Sequence, residues 1–277
     1  MNIAIGPTWF SKDYDETPRP IVALADEYPA GFAEAPHSHR RAQLLYASAG
    51  VMSVMTDIGS FVVPPQRAVW LPPNTEHEIS CRSPLSMRTL YIETDAAARL
   101  PASCSVIVVS DLLKALVLAA VDADLEYDEH GRDGLIAELL LQEIARAPIA
   151  PLHAPMPKDP RLLRVCRRVL ANPAMAHSLD DWASIAGMGR RTLTRLFRDQ
   201  TGMSMANWHQ HVRLLEALSL IAEGRPITAV AYDVGYANPS AFTASFHRTF
   251  GVAPSHYFRE TRRAEAVASM KPKRLDH

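Results

Sequence analysis

Two stretches decide the fold: SLDDWASIAGMGRRTLTRLFRDQTG, residues 178–202, and RPITAVAYDVGYANPSAFTASFHRTFG, residues 225–251. Each reads as a helix, a turn containing glycine, and a second helix. In the first stretch Ser178 is an N-cap by type, and Gly187 can end the helix in the left-handed region. Ala183 and Ala186 are small enough to let a crossing helix approach. In the second stretch Pro226 falls where a first turn tolerates it and Gly235 ends that helix. Asn238-Pro239 is an N-cap followed by a first-turn proline. The second helix of each pair has two sides. Leu193, Leu196 and Phe197 recur at i, i+3 and i+4 and face inward, as do Phe242, Phe246 and Phe250. Arg191, Thr194, Arg195 and Arg198 share another face, and Ser240, Thr243, Ala244 and His247 share the matching one.

Between the two stretches, Met205–Glu223 reads as one helix with Trp208, Val212, Leu215, Leu218 and Ile221 on its apolar side. It is capped by Ser204 and closed by Gly224. Its length is about 28 Å. Major grooves on one side of B-DNA recur at about 34 Å, so such a rod can hold two reading helices in successive grooves. A helix in the major groove needs short or bidentate polar side chains on its exposed face. Arg191 and Arg195 can each offer a fork to guanine. Arg190, Arg198, Asn238, His247 and Arg248 complete the candidate DNA-binding set with Thr194, Ser240 and Thr243. A merely solvated face is the plain alternative for one helix, and the second copy weakens it.

Charge agrees with this reading. The whole chain carries 29 Lys+Arg and 30 Asp+Glu, a net of -1. Residues 158–277 hold 18 of the basic and 10 of the acidic residues, leaving 11 and 20 before them. A basic half joined to an acidic half points to a polyanion-binding module attached to something else. Five prolines at 148, 151, 155, 157 and 160 mark a stiff, extended linker between the halves. Cys81, Cys104 and Cys166 are odd in number and lack metal-binding spacing, which fits free thiols in a reducing compartment. The N-terminus does not read as a signal peptide. The apolar run Leu112–Val121 is too short for a membrane span.

Upstream of the linker the pattern changes. Residues 20–95 are strand-like, with short apolar runs (QLLYASAG, VMSVMT, SFVVPP, AVWLPP, MRTLYIE) broken by Gly, Pro, Asn and Asp. Evenly spaced short strands imply a barrel or sandwich. Asp111–Asp122 and Asp133–Ala147 then read as two helices, the second with a wide apolar stripe through Leu135, Ile136, Leu139, Leu140 and Ile144. Within the strands, His37 and His39 lie two apart and share a side, which Gln43 continues, and His77 can join from a neighbouring strand. Three imidazoles suit either a divalent metal or a polar ligand. Trp70 and Tyr91 are further candidates for the wall of an effector pocket.

The spacing Gly31-(x5)-His37-x-His39-(x3)-Gln43-(x6)-Gly50 resembles the first cupin motif, and Pro72-x-Asn74-x2-His77 the second. Gln43 stands where cupin metal sites usually have Glu, which removes the anionic ligand. Residues 160–260 resemble the AraC/XylS-type DNA-binding domain. The resemblance rests on Leu179, Ala183, Ala186-Gly187, Leu193, Arg195, Leu196-Phe197, Thr201-Gly202 and Ser204, and on Ile227, Val230-Ala231, Val234-Gly235-Tyr236, Ser240-Ala241-Phe242, Phe246, Arg248, Phe250-Gly251, Pro254 and Tyr257. Gly189 departs from the Ser usual at that N-cap.

The resemblance implies an α+β chain, a cupin-like β-barrel with flanking helices followed by an all-α domain with two helix-turn-helix motifs. The expected boundaries are 1–147 for sensing and dimerisation, 148–159 for the linker, 160–262 for DNA binding and 263–277 for a flexible tail. It implies a cytoplasmic transcription regulator without catalytic residues that binds double-stranded DNA and a small-molecule effector, forms a homodimer and meets RNA polymerase rather than a membrane. The competing reading is a cupin metalloenzyme, an oxygenase or isomerase, with an accessory DNA-binding domain.

Overall fold

The computed structural model describes Tyr14 and residues 16–258. The proposed tail at 263–277, and the end of the proposed DNA-binding domain beyond 258, lie outside the described residues. The chain divides into two units, residues 1–153 and 154–277.

The first unit is built from two antiparallel sheets. Its strands in chain order are β1 (Ile21–Tyr28), β2 (Ala33–His37), β3 (Ala42–Ala49), β4 (Met52–Thr56), β5 (Gly59–Val63), β6 (Arg67–Leu71), β7 (His77–Cys81), β8 (Leu85–Ile92), β9 (Ser105–Val108), β10 (Ile149–Ala150) and β11 (His153–Pro155). One sheet has the order β1-β8-β3-β6-β9-β10 and the other β11-β5-β4-β7-β2. Among the described residues, helices α1 (Thr94–Ala97), α2 (Asp111–Val121) and α3 (Arg132–Arg146) accompany them.

Helices α2 and α3 cover the outer face of the six-stranded sheet. Leu113, Leu116 and Val117 of α2 and Ala137, Leu140, Leu141 and Ile144 of α3 join Ala42, Leu44, Tyr46, Trp70, Leu90 and Ile92 in one core. Burying each large aliphatic side chain contributes about 1.5–3 kcal/mol. Because helices cover one face and the second sheet the other, β3 is buried along both faces and shows no polar alternation. Gly50, the last glycine of the first cupin-like motif, is required by shape. Its φ is +79° and a Cβ there would lie 2.3 Å from the Pro84 carbonyl oxygen.

The segment expected to be a stiff linker contributes to the sheets. Ile149 pairs with Ile107, and the Val62 N–H donates to the Leu152 carbonyl at 3.0 Å. Prolines 148 and 151 flank an edge strand, where a missing donor leaves no ladder bond broken.

The described part of the second unit is helical from residue 160. Its helices are α4 (Pro160–Ala171), α5 (Leu179–Ala186), α6 (Arg190–Thr201), α7 (Met205–Ala222), α8 (Ile227–Asp233), α9 (Pro239–Phe250) and α10 (Pro254–Tyr257). Asp159 caps α4 by accepting from the Arg161 N–H. A capping box of Ser178 and Asp181 starts α5, and Ser204 caps α7. Helix α7 is apolar on most of its circumference: Trp208, Val212, Leu214, Leu215, Ala217, Leu218, Leu220 and Ile221 are all buried. A helix of that kind is a central strut. The Trp208 indole N–H donates to the Pro155 carbonyl at 2.8 Å, which satisfies its one polar atom.

Candidate functional site

The pairs α5–α6 and α8–α9 have the same construction. Helices α6 and α9 each run 12 residues and each ends at a left-handed glycine, Gly202 and Gly251. Leu193 and Phe197 are buried on α6, and Phe242 and Phe246 are buried at the matching places on α9. The opposite stripes are exposed: Arg191, Thr194, Arg195 and Arg198 on α6, and Ser240, Thr243, Ala244 and His247 on α9. These fall at equal positions of the two helices, so one stripe carries three guanidiniums where the other carries none. On α9 the exposed side chains and Pro239 line one open depression, and Arg248 is exposed beside them.

Three candidate residues are partly engaged within the unit. The Arg190 guanidinium pairs with Asp180, the second residue of α5, and so ties the two helices together. The Thr194 hydroxyl donates to the Arg190 carbonyl at 2.7 Å. The Asn238 side-chain oxygen accepts from the Ala241 N–H at 2.9 Å, which is the expected cap. Arg195 pairs with Asp199 one turn away, at 3.7 Å, and both are exposed. A surface pair of that kind is weak, so Arg195 is available to a nucleic acid.

In the first unit His37, His39 and His77 converge. His37 lies directly opposite His77 across β2 and β7. One ring nitrogen from each histidine lies within 4.8 Å of the others. The His37 Nδ1 faces the Ala35 carbonyl at 2.8 Å and the His77 Nδ1 faces the Thr75 carbonyl at 2.9 Å. A carbonyl only accepts, so in a neutral ring Nδ1 carries the proton and Nε2 presents a lone pair. The Nε2 atoms of His39 and His77 are buried and meet no hydrogen-bond partner among the described residues. Burial, with the neighbouring histidines, holds the His39 imidazole down to about 4. Burial likewise holds His77 down to about 4, against its bond to the Thr75 carbonyl. Near neutral pH both are uncharged.

Gln43 is buried and pairs with Tyr91 across β3 and β8, and Tyr91 lies edge-on to His39 with ring centroids 5.3 Å apart. Trp70 does not belong to this group. It lies opposite Leu44 in the core under α2 and α3 and donates its indole N–H to the Pro101 carbonyl. The side chains that periodicity missed are acidic. The Glu34 Oε1 lies 3.8 Å from the His37 Nε2. Burial, together with Glu34 and Glu27 and against Arg88, pushes the Asp26 carboxyl up to about 6. Three imidazoles, two with unpartnered buried nitrogens, form a donor set that fits a divalent metal. Gln43 offers only a neutral amide.

Comparison with known proteins agrees on both units. The AraC-like ligand binding domain family matches residues 20–145, and a helix-turn-helix domain family matches residues 182–260. The HTH-type transcriptional regulator NimR of Escherichia coli is 28% identical over 221 residues, covering 80% of this chain and 81% of the relative. The HTH-type transcriptional regulator RipA of Corynebacterium glutamicum is 37% identical over 130 residues, 47% of this chain and 39% of the relative. The arabinose operon regulatory protein of Escherichia coli is 30% identical over 152 residues, 53% of this chain and 50% of the relative. The chain thus carries an AraC-like ligand-binding domain followed by a helix-turn-helix domain, and the relatives it matches are DNA-binding transcription regulators of the AraC type.

Proposed function

We propose that the first unit binds a small-molecule effector in the space walled by His37, His39, Gln43, His77 and Tyr91, and that occupancy changes how the second unit engages promoter DNA. The observation that carries this reading is the pair of buried Nε2 atoms on His39 and His77 that no described residue hydrogen-bonds. Leaving a buried polar atom unsatisfied costs about 1–3 kcal/mol, and a ligand that bonds it recovers that free energy. An effector acts only through different affinity for two states, so its site needs such unmet donors and acceptors.

The chain on this reading works by binding rather than turnover, as a cytoplasmic homodimer that contacts RNA polymerase at its promoters. Residues 1–147 sense and pair, 148–159 connect, and 160–262 read DNA. Helix α6 reads bases through Arg191, Thr194 and Arg195. Helix α9, with Asn238, Ser240, Thr243, His247 and Arg248, adds phosphate contacts, shape reading and methyl packing. Arg190 and Arg198 flank the base-reading face.

Genome-wide mapping of bound sites, followed by shift assays over a salt series on the recovered sequences, tests this. Affinity should fall linearly with log salt as counterions return to the phosphates. His37→Ala should leave DNA affinity of the unliganded protein intact and change the response to effector. Loss of basal affinity in that variant would show that the two roles are not separate. Metal-dependent turnover by the purified protein would replace this reading with the enzyme.

A further inference from the structure

We propose that Glu34 supplies the carboxylate of a divalent transition-metal site whose other donors are the imidazoles of His37, His39 and His77. The proposal rests on the reading of this histidine cluster as the sensor's binding site and names the chemistry it takes.

The argument begins with the backbone of β2. Residues three apart on a regular strand point to opposite faces, so Glu34 and His37 should diverge. They do not, because β2 carries a bulge. Glu34 pairs with Ile79 and His37 with His77, so three steps along β2 match two along β7. A bulge of this kind re-aims a side chain. Residues opposite each other in an antiparallel pair share a face, and Ile79 and His77 both point inward, 3% and 2% exposed. Glu34 therefore sits on the inward side with the histidines. Pro36 lies within the extra stretch, and the His37 ring is held there by the Ala35 carbonyl.

The distances agree with a shared ion. Ligand bonds of about 2.0–2.2 Å place two donors on one metal about 3.0–4.2 Å apart, from a right angle to a straight line. The Glu34 Oε1 and His37 Nε2 are 3.8 Å apart, inside that span and beyond a good hydrogen bond. The three imidazole nitrogens lie within 4.8 Å of one another, a group that does not include a Glu34 oxygen, so the ion would draw the imidazoles together and the half-exposed Glu34 side chain would swing in from His37 to complete the set. His77 is buried at the base, its Nε2 unpartnered. The side chains of Glu34 and His37 are 42% and 26% exposed, which leaves an entry path from solvent. Three imidazoles and one carboxylate suit borderline ions such as Zn²⁺, Co²⁺ or Ni²⁺. Without Glu34 the set is neutral, because Gln43 is an amide.

The test uses full-length protein stripped with chelator and titrated with Co²⁺, read by visible d–d absorption and calorimetry. Wild type should take up one ion per chain with a four-coordinate spectrum. Glu34→Gln should lose about tenfold or more in affinity and shift the spectrum, and Glu34→Asp should retain more. Glu78→Gln, which removes a charge from the exposed face of β7 but no ligand, should match wild type. Equal affinity and an unchanged spectrum for Glu34→Gln overturn the assignment of Glu34. If that variant does not fold, the spectrum of Glu34→Asp decides, a shift supporting the assignment and identity with wild type overturning it. Absence of Co²⁺ uptake by wild type overturns the metal site while leaving the effector reading standing, since DNA binding and its response to small molecules are measured separately.

Discussion

The asymmetry between the two helix-turn-helix units is a matter of single side chains. At equal positions of two helices with the same length and the same left-handed glycine at the C-terminus, Arg191, Arg195 and Arg198 stand where the other has Ser240, Ala244 and His247. Guanidinium forks discriminate bases by bidentate hydrogen bonds, whereas serine and alanine offer little hydrogen bonding and act through phosphate contact, shape and methyl packing. Arg195→Ala should therefore cost about 1–3 kcal/mol on a mapped site and relax specificity at one base position. A uniform loss on all sequences, in competition shifts against single-base variants, would assign Arg195 to a phosphate instead. A second residue-scale effect concerns acid. Burial, with Arg213 and His177 and against the Pro173 carbonyl, holds the His209 imidazole below its ordinary value of 6.5. The ring also lies edge-on to Trp182 at 6.0 Å. The folded unit takes up a proton there less readily than the unfolded chain does. Its contribution is thus complete above 6.5 and lost as pH falls below it. His209→Gln keeps a donor for the Pro173 carbonyl, which His209 Nε2 meets at 2.8 Å, and does not titrate. The Tm advantage of wild type over this variant should shrink between about pH 7.5 and pH 5; a constant difference in thermal melts would remove His209 from the account.

Two glycines show how far local chemistry sets the helical elements. Gly189 caps α6 with extended backbone (φ -70°, ψ 152°) and no side chain to accept a hydrogen bond. A Cβ there meets nothing within 4 Å. Gly189→Ser should stabilise the unit by a few tenths of a kcal/mol. Gly235 differs: its φ is +82°, and a Cβ would lie 2.9 Å from the Ala174 carbonyl oxygen. Gly235→Ala should destabilise by about 1–3 kcal/mol, and denaturant melts of both variants should move in opposite directions. Such positions make the reading helices legible from sequence, because caps, left-handed glycines and aromatic spacing all coincide. The sensor strands were legible as strands but not by face. Strand β6 is buried at Ala68, Val69, Trp70 and Leu71 alike, so no alternation could show that Trp70 turns to the helices. The bulge that turns Glu34 toward His37 arises from pairing with β7 and leaves no period in β2. The strands β10 and β11 hide among prolines that a sequence reading assigns to a linker.

At the scale of the whole chain the question is what the covering helices leave open. Helices α2 and α3 do cover the six-stranded sheet, yet the outward face of α3 is not polar. Leu135 and Leu139, one turn apart, are 69% and 37% exposed, with Glu138 and Gln142 beside them. Leu112 and Leu118 of α2 are 49% and 37% exposed. Single exposed leucines are ordinary, but an adjacent pair on a helix beside an apolar neighbour is the kind of surface a second copy covers. Pairing would also place two basic second units on one DNA molecule, where the second binding event becomes intramolecular. Leu135→Glu combined with Leu139→Glu leaves the buried side of α3 untouched. On the proposed homodimer, it should shift sedimentation from dimer to monomer. Affinity for DNA bearing two sites should fall by about a hundredfold or more, with affinity for one isolated site unchanged. A double variant that stays dimeric would place the contact elsewhere, and equal losses on one-site and two-site DNA would show that pairing is not what joins the two readers.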